Sequence, residues 1–438
     1  MALRNDHDSA KLETIAAKYL IAATGGAASL YQKTVYPASQ TGALGILLDA
    51  GCALQNITEW QYGLASTKVR WNVSGSYQQV IPTYVAERPD GTTYEFLENY
   101  FDSLEEAYND VFLKGYQWPF DSRKIEGSSK VDLAVSEELA KGNKVYMDFR
   151  KNPKGYDFSL LSEEAKSYLQ EAGAAEGTPL QRLLALNKQA YDFYKNHNID
   201  LSEEMLEIAV CAQHQNGGIE VDTNYESAVQ NLFVIGEACG VFGMYRPGGS
   251  ALNDTQVGAL RVAQHIAAQK EEHFDRIQKH SILREIESEA KSYCTMALSS
   301  ENPLLDFTKD MSLYAGAFRI LDEIAPLHEK VKAQMEKEVY HLPSLAHKDV
   351  KKLYRYKNTL HAQEAFLRTL LETAEKTGSR GGSLCKQNGE ILKENESYRK
   401  FVIRTTQTEV SFVPVRPLPD TTYNFETVWH AYNEKMGI

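Results

Sequence analysis

The sequence predicts an α/β fold in which a strand–glycine-turn–helix layer is interrupted by an inserted, mixed region and followed by a helical one. Two segments carry a short apolar strand that stops at glycine, "KYLIAATGG" (18–26) and "NLFVIGEACG" (231–240). Between them, over 56–205, aromatics, Thr and Val alternate with polar residues, as in "VRWNVSGSYQQVIPTYV" (69–85), the period of antiparallel strands. Beyond them, 256–294 and 311–375 are long, charged and amphipathic, as in a helical bundle.

Taken in order, the strand at 18–26 leads to "TGALGILLDAGCAL" (41–54), whose apolar residues recur at helical spacing with Gly51 near the end. Antiparallel strands follow, then a helix over "SLEEAYNDVFLKG" (103–115). "KVDLAVSEELAKGNKVYMDFR" (130–150) reads as a helix feeding a strand, and 162–173 and 179–197 as further helices. Strand character returns in "EIAVCAQHQNGGIEVD" (207–222), and "VGALRVAQHIAAQ" (257–269) reads as a helix. The tail, 396–438, combines the strand-like "KFVIRTTQ" with the proline-bearing "FVPVRPLPDTTYNFETVW".

Composition narrows the function classes. With 438 residues, 43% hydrophobic and 24% charged, the chain has material for two or three ordinary globular domains. A net charge of -12 argues against a nucleic-acid partner, which needs a basic face. No apolar run approaches the ~20 residues of a membrane span, and "MALRNDHDSAKLETIAAKYL" has no apolar signal core, so a cytoplasmic location is expected. The five cysteines (Cys52, Cys211, Cys239, Cys294, Cys385) are scattered and never spaced CxxC, which suits reduced thiols and assigns no metal.

One segment stands out chemically. "GEACGVFGMYRPGGSALNDTQVG" (236–258) places six of the 28 glycines between a strand and a helix. Bare backbone there makes room for a bulky ligand with phosphates or a flat ring, which side chains would push away.

In sequence order, "KYLIAATGGAASLY", "TGALGILLDAGCAL", "NGGIEVDTNYESAVQNLFVIGEACG", "YRPGGSALNDTQVGALRVAQHIA" and "GSRGG" (378–382) resemble the fumarate reductase and succinate dehydrogenase flavoprotein family over nearly the whole chain. The resemblance implies a partial glutathione-reductase-like FAD domain at 1–55 and 206–270. An α+β capping domain is inserted at 56–205, a helical domain covers 271–375 and a carboxy-terminal extension 376–438. It implies FAD as cofactor. Glu237, after Gly236, would hold the ribityl or ribose portion; Gly249, Ser250, Ala251 and Leu252 would lie on the isoalloxazine; and Ala23, Thr24, Gly25 and Gly26 would form a turn near it. A helix starting near Leu252 would aim its positive end at the flavin's electron-rich edge.

The sequence departs from the family in two respects. No GxGxxG occurs, the glycine pattern that cradles a pyrophosphate. Three readings stay open: a fragment, a second chain supplying the missing half-site, or lost FAD binding. Exposed apolar sheet surface would then favour a partner or a homo-oligomer.

The second departure is in the chemistry. The family's glutamine-aromatic-histidine motif reads "QYGLAS" here, with Gly63 for histidine, and Leu133 stands where a proton-donating arginine is expected. Only Arg246 matches a substrate-binding arginine. A dicarboxylate needs several donors to offset its desolvation, so another small-molecule substrate is expected. Arg246, Tyr245 and His214 are the candidate catalytic residues, with Gln213, Asn216 and Tyr62 as weaker polar or packing positions. Two functions remain: an FAD-dependent oxidoreductase exchanging hydride between flavin and a small organic substrate, or a non-catalytic subunit needing another chain to bind FAD.

Overall fold

The structure, a computed structural model, describes residues 2–6, 9–13, 15, 17–269, 284, 303–336, 350–417 and 425–436. The parts of the expected helical region at 270–302 (284 apart) and 337–349 lie outside the described residues, as does Cys294.

A hairpin of β1 (Ala2–Asp6) and β2 (Ser9–Glu13) precedes β3 (Leu20–Ala22), which pairs in parallel with β12 (Leu232–Val234) across more than two hundred residues of sequence. Both strands end in glycine-bearing turns, as their apolar–glycine pattern predicts. Helix Ser250–Ala268 follows the second turn; Tyr225 packs flat against Gly258, where a side chain would collide, and its hydroxyl donates to Asp254 Oδ1 at 2.5 Å.

The inserted texture forms a six-stranded antiparallel sheet. Its strands are β5 (Trp60–Ser66), β6 (Trp71–Asn72), β7 (Thr83–Glu87), β8 (Thr93–Glu95), β9 (Lys144–Asp148) and β10 (Leu206–Gln215), in the order β6-β5-β10-β9-β7-β8. Helices Leu104–Lys114, Lys130–Ala140, Glu163–Glu171 and Pro179–Asn196 pack with it around a separate core containing Val111, Phe112, Val131, Met147 and Ile208. Local chemistry sets their starts. Ser103 and Ser162 accept from the third helical N–H, and Thr178 with Gln181 forms a reciprocal capping box ahead of Pro179. Strand β10 also runs toward the parallel half. It pairs with β9 at Leu206–Ile208 and with β5 from Ile208 onward, with a bulge between Ala212 and His214.

A third sheet joins distant parts of the chain: β4 (Leu54–Gln55), β11 (Gly218–Ile219), β16 (Phe401–Thr405) and β17 (Val410–Pro414), in the order β11-β4-β16-β17. Helix 41–54 is therefore shorter than its periodicity predicts. It covers Leu44–Asp49, because Gly51 turns the chain at φ +96° and Leu54 is taken into β4. Helices Pro303–Tyr314, Leu321–Glu336 and Val350–Thr377 share one core with the parallel half, where Met311, Ile324, Phe366 and Leu370 meet Leu30, Leu47, Leu54 and Trp60. A small sheet of β13 (Phe318–Ile320), β14 (Leu384–Gln387) and β15 (Glu390–Ile391) carries the chain past Gly381 and Gly382.

Candidate active site

Two neighbouring subsites form where the halves meet. In the first, the Ala23–Gly26 turn leaves β3, with Gly25 at φ +69° and Gln40 Nε2 donating to Thr24 O at 2.6 Å. Gly26 lies against Glu237; a Cβ on it would come within 2.7 Å of Glu237 Oε1. That oxygen accepts from the Gln215 N–H at 2.7 Å and from the Tyr36 hydroxyl. Burial pushes the Glu237 carboxyl up, against these hydrogen bonds and the positive charge of Arg246. Gln215 Oε1 accepts from the Ala27 N–H at 2.7 Å, while its Nε2 is buried with no hydrogen-bond partner among the described residues.

Beside it lies the second glycine turn. Gly249, at φ +78°, is the N-cap of helix Ser250–Ala268, and neither Gly248 nor Gly249 has a neighbour within 4 Å of the position a Cβ would take. The backbone is bare and faces open space. The first N–H groups of Ser250, Ala251 and Leu252 carry the positive end of a 19-residue helix. Bare backbone, a helix N-terminus and the orphaned Gln215 amide are a donor set that fits a flat, electron-rich cofactor with a hydroxylated chain.

A cleft of about 470 Å³ is walled by Tyr116–Asp121, Arg123 and Lys124 on one side and Met244–Arg246 on the other, with Gln61, Gly381 and Gly382 completing it. Arg246 projects from the loop after β12. Its Nε and Nη2 donate to Gln61 Oε1 at 3.0 and 2.5 Å, and Nη1 to Pro247 O at 3.3 Å. Burial works against its charge, and the Glu237 carboxylate partly offsets this. His214 stands directly across the ladder from Gln61, beyond the bulge. Its Nδ1 lies 3.0 Å from Asn216 Oδ1 and its ring meets Phe242 edge-on. Burial first, then Arg246, holds the imidazole down at about 4, so it is neutral at pH 7. Tyr245 is sandwiched differently: the Arg123 guanidinium lies 3.8 Å from its ring centroid, and its hydroxyl donates to Glu394 Oε2 at 3.4 Å. Arg123 is spoken for by Asp121, through Nε at 3.0 Å and Nη2 at 2.7 Å.

The Trp118 indole covers Gly63. Any side chain at 63 would run into Trp118 Nε1, which is buried without a hydrogen-bond partner among the described residues. Leu133, half-buried on helix Lys130–Ala140, packs against the core of the parallel half. Under the floor, Arg380 Nε and Nη2 meet Glu59 Oε1 at 3.0 and 2.9 Å, and Arg319 donates to Thr58 O. The buried Arg380 guanidinium thus pairs with a buried carboxylate behind Gly381, whose Cβ position lies 3.1 Å from Glu59 Oε2, and a second buried guanidinium, that of Arg319, binds the neighbouring Thr58 carbonyl. Burial opposes the charge of Arg319, but Tyr62, Cys385 and Glu59 more than offset it and raise its pKa.

Gly26 and Glu237 thus meet at one subsite, to which the Ala23–Gly25 turn and Gly236 are adjacent in the chain; Gly249, Ser250, Ala251 and Leu252 form a separate helix start; Tyr245 and Arg246 line the cleft, and His214 lies outside its lining, across the ladder from Gln61. Sequence reasoning missed Gln61, Tyr36, Gln215 and Trp118. For Gln61 a signal existed, since it opens the "QYG" motif next to the glycine that replaced histidine.

A parallel strand-turn-helix unit is thus interrupted by an antiparallel insertion, with the cleft that holds Arg246 at the junction. The chain has the fold of the flavoprotein subunits of fumarate reductase and succinate dehydrogenase, and its relatives are FAD-dependent oxidoreductases. A quinol–fumarate reductase solved with menaquinol superposes with a TM-score of 0.66 at 20% identity, covering 95% of this chain and 72% of the other. An uncharacterized FAD-dependent oxidoreductase of Methanocaldococcus jannaschii is 24% identical over 374 residues, 83% of this chain. One subunit of the Methanothermobacter marburgensis fumarate reductase (CoM/CoB) is 37% identical over 94 residues, 21% of this chain and 17% of that protein. The chain spans 60% of the length of the Methanocaldococcus relative. No family model matches. Among the described residues no helix is long and apolar enough to cross a membrane, and no group of three or more His, Cys, Asp or Glu could hold a metal.

Proposed function

We propose that this chain is the larger part of an FAD-dependent oxidoreductase acting on a small organic acid other than fumarate or succinate. The observation that carries the reading is Arg246, a cation bracketed by a neutral amide at the edge of the cleft, three residues before Gly249 and within electrostatic reach of Glu237. FAD, when bound, supplies hydride exchange with the substrate. Gly248–Leu252 would hold the flavin, with Gly25–Gly26 and Glu237 toward the ribityl or ribose part. Arg246 would fix the acid group, and Tyr245 and His214 would line its approach. His214, neutral near pH 7, would accept or share a proton and add no positive charge. Catalysis would rest on positioning more than on a protein nucleophile.

The preference against a C4 dicarboxylate rests on Gly63 and Trp118. A second anchoring side chain has no room at 63 because the indole fills that space. The test is the visible spectrum of the purified chain after incubation with FAD and desalting, followed by reduction of enoates by the wild type and Arg246→Met. Retained flavin bands with activity lost in the variant are expected. Flavin bands with fumarate as the best substrate would sink the dicarboxylate argument.

One observation favours the second reading, a subunit that binds FAD only with another chain. Strand β3 exposes Leu20 by 58% and Ile21 by 47%, on opposite faces, whereas parallel strands are ordinarily covered on both. A chain that stays colourless with FAD and sediments as a larger species would support it.

A further inference from the structure

We infer that Gln61 is a positioning residue that sets the orientation of Arg246 without cancelling its charge, so that the cleft takes a small monocarboxylate on the remaining end of that guanidinium. The inference rests on the reading of the cleft as a substrate site. Gln61 is only 6% exposed and holds Arg246 from both sides. Its Oε1 accepts from Nε and Nη2, and its Nε2 donates back to the Arg246 carbonyl at 3.4 Å. The two residues are 185 apart in sequence, so this bracket joins β5 to the loop after β12. The side-on edge of the guanidinium, the one formed by Nε and Nη2, is therefore filled by the protein. Nη1 is partly used by Pro247 O. What remains for a ligand is the Nη1/Nη2 end, enough for one carboxylate.

The choice of an amide matters. A carboxylate at 61 would make the same two hydrogen bonds and neutralise the cation; the amide orients it and leaves the charge for the ligand. The other charges of the cleft do not supply a second oriented anchor. Arg123 is consumed by Asp121 and by stacking on Tyr245, and Lys124 is exposed on a flexible stem at the rim. The buried Glu59–Arg380–Arg319 group adds positive potential from behind the floor, but Arg319 and Arg380 are each only 3% exposed and line no part of the cleft.

The experiment is calorimetric titration of the full chain, with FAD present, using crotonate and succinate as probes at low ionic strength. Wild type, Gln61→Glu, Gln61→Met and Arg246→Met are compared, with melting temperature as the check on folding. The wild type is expected to bind crotonate at least as tightly as succinate. Gln61→Glu should melt within a few degrees of the wild type yet bind crotonate about tenfold or more weakly, since it neutralises Arg246 while keeping the two hydrogen bonds from the guanidinium and losing only the long one to the Arg246 carbonyl. Gln61→Met, which keeps the charge but frees the guanidinium, should lose less. A merely structural glutamine predicts the reverse order, because Glu keeps the two hydrogen bonds from the guanidinium and Met keeps none. Wild-type affinity in Gln61→Glu, or succinate binding more than tenfold tighter than crotonate, overturns the inference. Crotonate binding that Arg246→Met leaves untouched, or no carboxylate binding by the wild type, overturns the cleft reading itself and this inference with it.

Discussion

The helices packed on the six-stranded sheet and the junction where that sheet meets the parallel half handle polar groups differently. On the helices packed against the six-stranded sheet, the buried charges Lys114, Asp132 and Glu138 face opposite charges or hydrogen-bonding groups of the protein. Lys114 and Asp132 pair at 1% and 0% exposure, and Glu138 accepts from Tyr94, Tyr100, Lys141 and Asn143 at 2.5–2.8 Å. Where the end of that sheet meets the parallel half, polar groups are left partly unanswered: Gln215 Nε2 has no partner among the described residues, Arg246 is held by an amide, and Gly248 faces open space. Desolvated polar groups that the protein satisfies serve stability, and those it leaves open are where a ligand gains most.

The contrast can be broken first at its strongest point. Lys114→Met leaves Asp132 as a buried, unpaired carboxyl and should cost about 3–5 kcal/mol in chemical denaturation, whereas Lys114→Met with Asp132→Leu should recover most of that. Burial already raises the Asp132 pKa despite Lys114. If the single and double variants unfold alike, the pair is not what closes this half.

A steric comparison comes next. Gly26→Ala drives a methyl onto Glu237 Oε1 and should cost about 1–3 kcal/mol, with FAD retention impaired. Gly248→Ala meets nothing and should change stability by less than about 0.5 kcal/mol. An effect of Gly248→Ala on retained flavin but not on unfolding would mark that backbone as ligand-facing.

Acid separates the junction from the helices more gently. His214 is held at about 4, below the ordinary histidine value of roughly 6.5, so its contribution is complete above about 6.5 and lost as pH falls through about 4. Burial pushes Glu138 up, but its four hydrogen bonds hold it at about 2. Its contribution is complete above roughly 4.3 and lost as pH falls through about 2. Stability measured against pH should therefore lose its slope between 6.5 and 4 in His214→Gln, and its slope below about 4.3 in Glu138→Gln. Indistinguishable profiles would mean that neither group is perturbed as its surroundings imply.

Much of this organisation was legible in the sequence, for identifiable reasons. The strand–glycine–helix unit at 231–268 and the helix-to-strand run at 130–150 announce themselves because apolar period and glycine position are local properties. The motif at 245–252 carried Arg246 and Gly249 for the same reason. What stayed hidden depends on which distant segments meet. Nothing near Gln61 says that it brackets Arg246, nothing near Gly63 says that Trp118 fills its place, and nothing near Tyr36 says that it donates to Glu237. Helix 41–54 was over-read because its last residues are claimed by a strand partner from the far end of the chain.

That partner has a consequence in time. Leu54–Gln55 is paired on one side with Gly218–Ile219 and on the other with Arg404–Thr405, and Asn56 Oδ1 accepts from the Ile403 N–H 347 residues away. Contacts of such sequence separation must wait for large loops to close, which slows folding. During synthesis, β4 emerges early and keeps one edge unsealed until the residues around Ile403 have left the ribosome.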